Sequence, residues 1–332
     1  MNLERFKVEL EVSMSNKYFL AKGDQSEPIR KGFGQGLLKL GQDNPNVVAC
    51  CADLTDSTQM SAFANAYPDR FIEIGIAEQN LVTVGSGLAA AGKIPFVSSY
   101  AAFSPGRNWE QIRTTICLND VPVKIIGSHA GVSVGPDGAT HQMLEDLALM
   151  RVLPNMIVLA PCDAVEAKKA TIAMANVNKP VYMRLAREAS PIITTEDTPF
   201  AIGQAEVFIE GSDISLIACG AMTAQALIAA KNLKRSGISA EVINNTTIKP
   251  LDQETILASA KKTKKVVTIE EAQIAGGLGS AVSELLSEKC PTFVHRIGIK
   301  DRFGESGTME ELYKYFGLSA EAIELAVYAI MN

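Results

Sequence analysis

The sequence contains no Cys-x-x-Cys pair and no regular spacing among its six cysteines, Cys50, Cys51, Cys117, Cys162, Cys219 and Cys290. That argues against a disulfide framework in a chain of 332 residues, and the thiols, set mostly in apolar stretches, read as reduced and packed. There is no basic excess either: 31 Lys and Arg against 37 Asp and Glu leave a net charge of −6. This excludes a broad basic face for nucleic acid, while a local arginine cluster can still hold a phosphate. No continuous apolar run is long enough to span a membrane, and the first residues show no signal-peptide core. The expectation is a cytoplasmic protein with no membrane and no nucleic acid among its partners. Histidine is scarce, and two of the three fall in one loop.

What is present alternates. Apolar strand-like runs and amphipathic helical stretches recur throughout, which predicts an α/β protein of two three-layer α/β/α domains with mainly parallel sheets. The first domain is expected over 28–189, with strands over 47–51, 71–76, 95–99, 123–127, 156–160 and 181–185. Residues 1–27 are polar and irregular and read as an N-terminal extension. A linker is expected over 190–203, where Ser190-Pro191 and Thr194-Thr195-Glu196-Asp197-Thr198-Pro199 break the periodicity and expose polar groups. The second domain follows over 204–332, with strands at 214–218, 240–243 and 265–269 and an alanine-rich helix over 221–235. Gly276-Gly277-Leu278-Gly279 opens another helix but does not fit the dinucleotide pattern G-x-G-x-x-G. The Lys261-Lys262-Thr263-Lys264-Lys265 run reads as a solvated helix end, and His295 as a structural residue.

Two segments carry candidate chemistry. In Phe71-Ile72-Glu73-Ile74-Gly75-Ile76-Ala77-Glu78-Gln79-Asn80, the residues Phe71, Ile72, Ile74 and Ile76 read as a buried strand. Gly75 allows close backbone approach, and 81–88 continues at helical spacing. Glu78 therefore lies where a strand runs into a helix, the end of an open α/β sheet at which ligands bind. Burial there is expected to raise its carboxyl, so that it trades a proton with a heteroaromatic ring near neutral pH. An exposed helix-start glutamate is the competing reading. The second segment is the glycine-rich Gly127-Ser128-His129-Ala130-Gly131 … Gly135-Pro136-Asp137-Gly138-Ala139-Thr140-His141-Gln142. Its glycines let the backbone fold around a ligand, and its histidines titrate closest to working pH.

Together with Ile29-Arg30-Lys31, Cys51-Ala52-Asp53-Leu54-Thr55-Asp56-Ser57, Leu153-Pro154-Asn155-Met156, Ala160-Pro161-Cys162-Asp163 and Arg184-Leu185-Ala186-Arg187, these segments resemble the C-terminal half of the transketolase family of thiamine diphosphate enzymes. The resemblance runs from about Pro28 to the end of the chain. It implies that 28–189 is a pyrimidine-binding domain and 204–332 a transketolase C-terminal domain without a direct catalytic role. A glutamate at the position of Glu78 would hold the aminopyrimidine ring nitrogen and promote loss of the thiazolium proton. A two-carbon ketol unit then passes from a ketose phosphate to an aldose phosphate. Tyr100 and Phe103 match the aromatic pair lining the aminopyrimidine, Phe103 within a shift of about one residue. Asp53 and Leu54 match residues near the cofactor and the subunit interface. Arg30, Ser57 and Arg187 match the sugar-phosphate clamp, and His129, Asp137 and His141 the positions that meet sugar hydroxyls. His129 and His141, with Glu78, are the catalytic candidates.

The family's diphosphate domain carries a Gly-Asp-Gly motif followed by an asparagine, and this sequence has no match to it: Gly23-Asp24-Gln25 follows no apolar strand. Magnesium and the diphosphate therefore need another polypeptide, since a hard cation between phosphates requires fixed oxygen ligands. The resemblance implies a split transketolase, with this chain as the C-terminal subunit of a self-associating 2+2 heterotetramer completed by an N-terminal subunit. Its sugar phosphates would belong to the pentose phosphate pathway or be more unusual. Three alternatives stand beside it: a 1-deoxyxylulose-5-phosphate synthase-like subunit, a specialised sugar transketolase, or a non-catalytic assembly relative. Against the synthases, His129 stands where they have an arginine.

Overall fold

The structure, a computed structural model, describes residues 25–332. The expected extension over 1–27 lies outside the described residues except for its last three. Among the described residues fourteen strands run in chain order: β1 (Ser26–Pro28), β2 (Val47–Cys51), β3 (Phe71–Glu73), β4 (Ile94–Tyr100), β5 (Lys124–Ser128), β6 (Ile157–Leu159), β7 (Val181–Arg184), β8 (Ala189–Pro191), β9 (Glu206–Ile209), β10 (Ile214–Ala218), β11 (Ala240–Asn244), β12 (Thr247–Lys249), β13 (Lys265–Gln273) and β14 (Phe293–Ile299). Twelve of them form a seven-stranded sheet of order β12-β6-β7-β5-β4-β2-β3 and a five-stranded sheet of order β14-β13-β10-β11-β9, and β1 pairs with β8. Within the two larger sheets neighbours are parallel except β12 against β6 and β9 against β11. This is the α/β fold the alternating pattern predicts.

Period-two alternation explains the layers. Cys50, Val97, Ile125 and Tyr182 point to one face of the large sheet, where Leu81, Val82 and Ile112 pack on them. Ala49, Phe96, Ile126 and Met183 point to the other, covered by Phe33 and Leu37 of helix Ile29–Asp43 and by Ala170 and Met174 of helix Ala164–Ala175. Those two helices cross very closely. A Cβ at Gly32 would sit 1.8 Å from the Ala164 carbonyl oxygen, so only glycine permits the approach. The core under Leu81 continues through Ile217, Ile243 and Leu278 into the second half of the chain.

Five expectations are corrected. The strand expected over 71–76 ends at Glu73, and Ile76 is 74% exposed. Here the Glu73 carboxylate accepts the Gly75 and Asp53 N–H groups at 2.9 and 2.7 Å, and Gly75 turns at φ +78°. That positive φ is what Gly75 supplies; a Cβ there meets nothing within 4 Å, so no close approach is involved. The linker expected over 190–203 exposes only part of its polar groups: Glu196 and Asp197 are exposed, but Thr194 and Thr198 are buried, and Asp163 accepts the Ile193 and Thr194 N–H groups and the Thr194 hydroxyl. Its first residues form β8, which pairs antiparallel with β1, the end of the supposed extension. The two sheets are also not wholly separate along the chain, since β12 crosses back to edge the first sheet. Finally, Lys262 is not merely solvated but pairs with Glu210 at 2.9 Å and with the buried Glu241.

Candidate active site

The candidate residues gather at the carboxyl ends of the parallel strands, where the loops of an open α/β sheet make room for ligands. Strand β3 and the turn at Gly75 deliver Glu78 to the first residue of helix Glu78–Ala90, and its side chain is 4% exposed. Arg107 reaches it at 3.4 Å and lies with its guanidinium 4.1 Å from the Phe103 ring centroid. Both contacts follow from one turn in which the Arg107 N–H donates to the Phe103 carbonyl at 2.9 Å. Asn108 is fully buried and donates to the Glu78 carbonyl at 2.8 Å, fixing the start of the helix.

Strand β4 ends at Tyr100, whose ring is stacked with Phe103 at 5.9 Å and 19° and with His129 at 3.8 Å and 23°. His141 meets the Phe103 ring edge-on at 5.5 Å. Strand β5 leads into His129, held at φ +57° with its Nδ1 2.9 Å from the Ser128 hydroxyl. Burial, reinforced by Arg30, Arg187 and His141, pushes His129 down to about 3, so it is a neutral ring at working pH. Arg30, on the first turn of its helix, lies 3.5 Å from His129 Nε2 and donates to the Ser57 carbonyl at 2.5 Å. Its Nε is buried without a partner, and burial together with Arg187 lowers its pKa. Arg187, beyond β7, donates to the Val134 carbonyl at 2.7 Å and faces Asp137 at 3.9 Å.

So short links join Glu78, by way of Arg107, to Phe103, Tyr100, His141, His129, Arg30 and Ser57, while Arg187 and Asp137 face each other and Arg187 acts on Arg30 and His129 through its charge. Asp53 and Leu54 lie in the turn after β2 that also holds Ser57; Asp53 is exposed, at φ +57°, and its N–H goes to Glu73. Ser57 enters by its carbonyl rather than its hydroxyl. Sequence reasoning missed Arg107, whose signal was its i, i+4 spacing from Phe103, and it missed Glu73 and Asn108.

The sequence matches two family models, the transketolase pyrimidine-binding domain over residues 26–192 and the transketolase C-terminal domain over 203–323. The chain belongs to the transketolase family. Among relatives of this transketolase-family chain, a protein of Methanocaldococcus jannaschii named "Putative transketolase C-terminal section" is 45% identical, over 89% of this chain and 93% of its own length. A "6-deoxy-6-sulfo-D-fructose transketolase subunit SqwH" of a Clostridium species is 40% identical over 91% of this chain and 94% of its own. A solved "Split gene transketolase, inactive beta4 tetramer" is similar with a TM-score of 0.86 and 46% identity, covering 92% of this chain and 98% of that one.

The family's domains imply dependence on thiamine diphosphate. The residues present fit its aminopyrimidine, a flat ring edged with nitrogen. Near-parallel Tyr100 and Phe103 offer a stacking wall. Glu78 is buried, yet its link to Arg107 is long for a charge-assisted bond, which leaves acceptor capacity on the carboxylate. No helix among the described residues is long and apolar enough to cross a membrane.

Proposed function

We propose that this chain is the C-terminal subunit of a split transketolase. With an N-terminal subunit it would transfer a two-carbon ketol unit from a ketose phosphate to an aldose phosphate. The observation that carries the reading is the meeting, at the carboxyl ends of the strands, of a buried carboxylate, a stacked aromatic pair and the Arg30 guanidinium set against His129. When bound, thiamine diphosphate supplies a nucleophilic thiazolium carbon. Glu78 would hold the aminopyrimidine nitrogen and its proton, Tyr100 and Phe103 would offer the ring a stacking wall, and Asp53 and Leu54 would lie near the cofactor and the partner. Arg30, whose buried Nε has no partner, and Arg187, which faces Asp137 at 3.9 Å and Glu188 at 3.6 Å, are the guanidiniums that would take the sugar phosphate. Ser57 fixes Arg30 through its carbonyl. His129, being neutral, both donates and accepts, and with Asp137 and His141 it orients sugar hydroxyls.

In this reading Mg2+ and the diphosphate are held by the N-terminal subunit, the assembly is a 2+2 heterotetramer, and the enzyme works in the cytoplasm on pentose phosphate pathway sugars. The names of the relatives, a C-terminal section and a transketolase subunit, support a partner. A second reading is favoured by the sulfosugar relative: guanidiniums that bind phosphate also bind sulfonate, so the donor could be a specialised sugar.

The test is turnover of xylulose 5-phosphate plus ribose 5-phosphate with thiamine diphosphate and Mg2+, by the chain alone and mixed with its N-terminal partner. Activity in the mixture alone is the expected result, and Glu78→Gln should abolish it while melting like wild type. Turnover by the chain alone would refute the split, and full activity in Glu78→Gln would refute the role of Glu78. A mixture that binds cofactor but leaves these sugars unchanged would move the assignment to the second reading.

A further inference from the structure

The loop carrying both site histidines is suspended from the C-terminal domain. Glu271, on β13, is 5% exposed and lies 138 residues from Ser133, whose N–H it accepts at 2.6 Å. Its other carboxylate oxygen accepts the Tyr313 hydroxyl at 3.2 Å. Gly131, at φ +92°, lies against the same carboxylate, and a Cβ there would be 2.4 Å from it. The Glu271 backbone is fixed as well: its carbonyl accepts both Arg184 Nη groups at 3.1 Å. Arg184 Nε pairs with Asp146 at 3.1 Å, and Asp146 accepts the buried Tyr182 hydroxyl at 2.8 Å.

The far end of the loop is anchored independently. Gln142 Nε2 donates to the Val132 and Gly135 carbonyls of its own loop at 3.0 and 3.1 Å. It also donates to the Glu305 carbonyl, beyond β14, at 2.8 Å. Gly138 lies so close to this segment that a Cβ would be 2.5 Å from the Ser306 hydroxyl. Between the anchors lie Asp137 and His141, His129 lies just before the first, and Val134 takes the hydrogen bond of Arg187. The geometry of the sugar subsite therefore passes through two contacts with a domain to which the family resemblance assigns no direct catalytic part.

We propose that Glu271 is a positioning residue for the sugar-phosphate subsite, holding the 131–142 loop through Ser133 so that His129, His141 and Arg187 keep their places. This rests on the function proposed above. The perturbation is Glu271→Leu, which keeps roughly the volume but removes both acceptor oxygens, and Tyr313→Phe, which removes the second tie on the carboxylate, serves if the first variant does not fold. Hydrogen exchange on the isolated chain reads the loop, and steady-state kinetics on the chain with its N-terminal partner read the site. We expect faster exchange at 131–137 and a sugar-phosphate KM raised about tenfold, the scale of one lost buried hydrogen bond, with the thiamine diphosphate KM within about twofold of wild type. Unchanged exchange would overturn the proposal, as would faster exchange with an unchanged sugar KM, or sugar and cofactor KM rising together as in general loosening. A wild-type mixture that turns over no sugar phosphate would instead sink the proposed function, and loop exchange alone would then decide the coupling.

Discussion

Replacing Gly32 by alanine adds one methyl group at the crossing of helices Ile29–Asp43 and Ala164–Ala175. That methyl would lie 1.8 Å from the Ala164 carbonyl oxygen, 2.7 Å from its carbon and 3.0 Å from its Cα, all backbone atoms that cannot rotate aside. Restoring ordinary contact requires the helices to part by roughly 1.5 Å. Arg30 is two residues away on the moving helix, and its links of 2.5 Å to Ser57 and 3.5 Å to His129 do not survive such a shift. Overpacking of this kind costs about 1–3 kcal/mol, and at about 2–4 °C per kcal/mol the isolated chain should melt several degrees lower. In the assembled enzyme the sugar-phosphate KM should rise as Arg30 is displaced. Gly87→Ala is the control, because that glycine is exposed in the middle of helix Glu78–Ala90 and a Cβ there meets nothing within 4 Å. It should stabilise the isolated chain by about 0.5–1 kcal/mol, the ordinary helix preference for alanine. Thermal unfolding by circular dichroism decides both, and a Gly32→Ala chain that melts at or above wild type would refute the argument from close approach.

His129 is depressed from 6.5 to about 3 in the folded chain, so the unfolded chain binds its proton first. Its contribution to stability is complete above the unfolded value and is lost as pH falls from about 6.5 towards about 3. Urea unfolding between about pH 7 and about pH 4 should therefore fall less steeply for His129→Gln than for wild type, and parallel curves would count against a buried neutral histidine. Inorganic phosphate should raise the melting temperature of the isolated chain by mass action, through Arg30, whose buried Nε has no partner, and Arg187. Arg187→Met should lose that shift, and an equal shift in the variant would place the anion elsewhere.

Much of the architecture was legible because it is written in short periods. Alternation at two residues located six strands of the large sheet and three of the small one, leaving β9 and β12 unread, and the junction before Glu78 was readable from the change of period there. The segment 71–76 misled for an identifiable reason: apolar spacing cannot show that β3 is an edge strand or that Glu73 folds the chain back at Gly75. Polar composition likewise misread 190–203, because the burial of Thr194 depends on Asp163, some thirty residues earlier. The site residues came from motifs in a familiar order, whereas Arg107 and Glu271 belong to no such motif and show their parts only through what they touch.

The sequence by itself determined the layered α/β plan, the family, and the residue types of the pocket, since hydrophobic period and motif chemistry are local properties. Only the tertiary structure decided that Arg30 lies against His129 across 99 residues, that a strand of the second half edges the first sheet, and that Glu271 holds the histidine loop. The physical reason is range. A side chain's partners at hydrogen-bond distance are chosen by how strands and helices stack, and no pattern a few residues long carries that information.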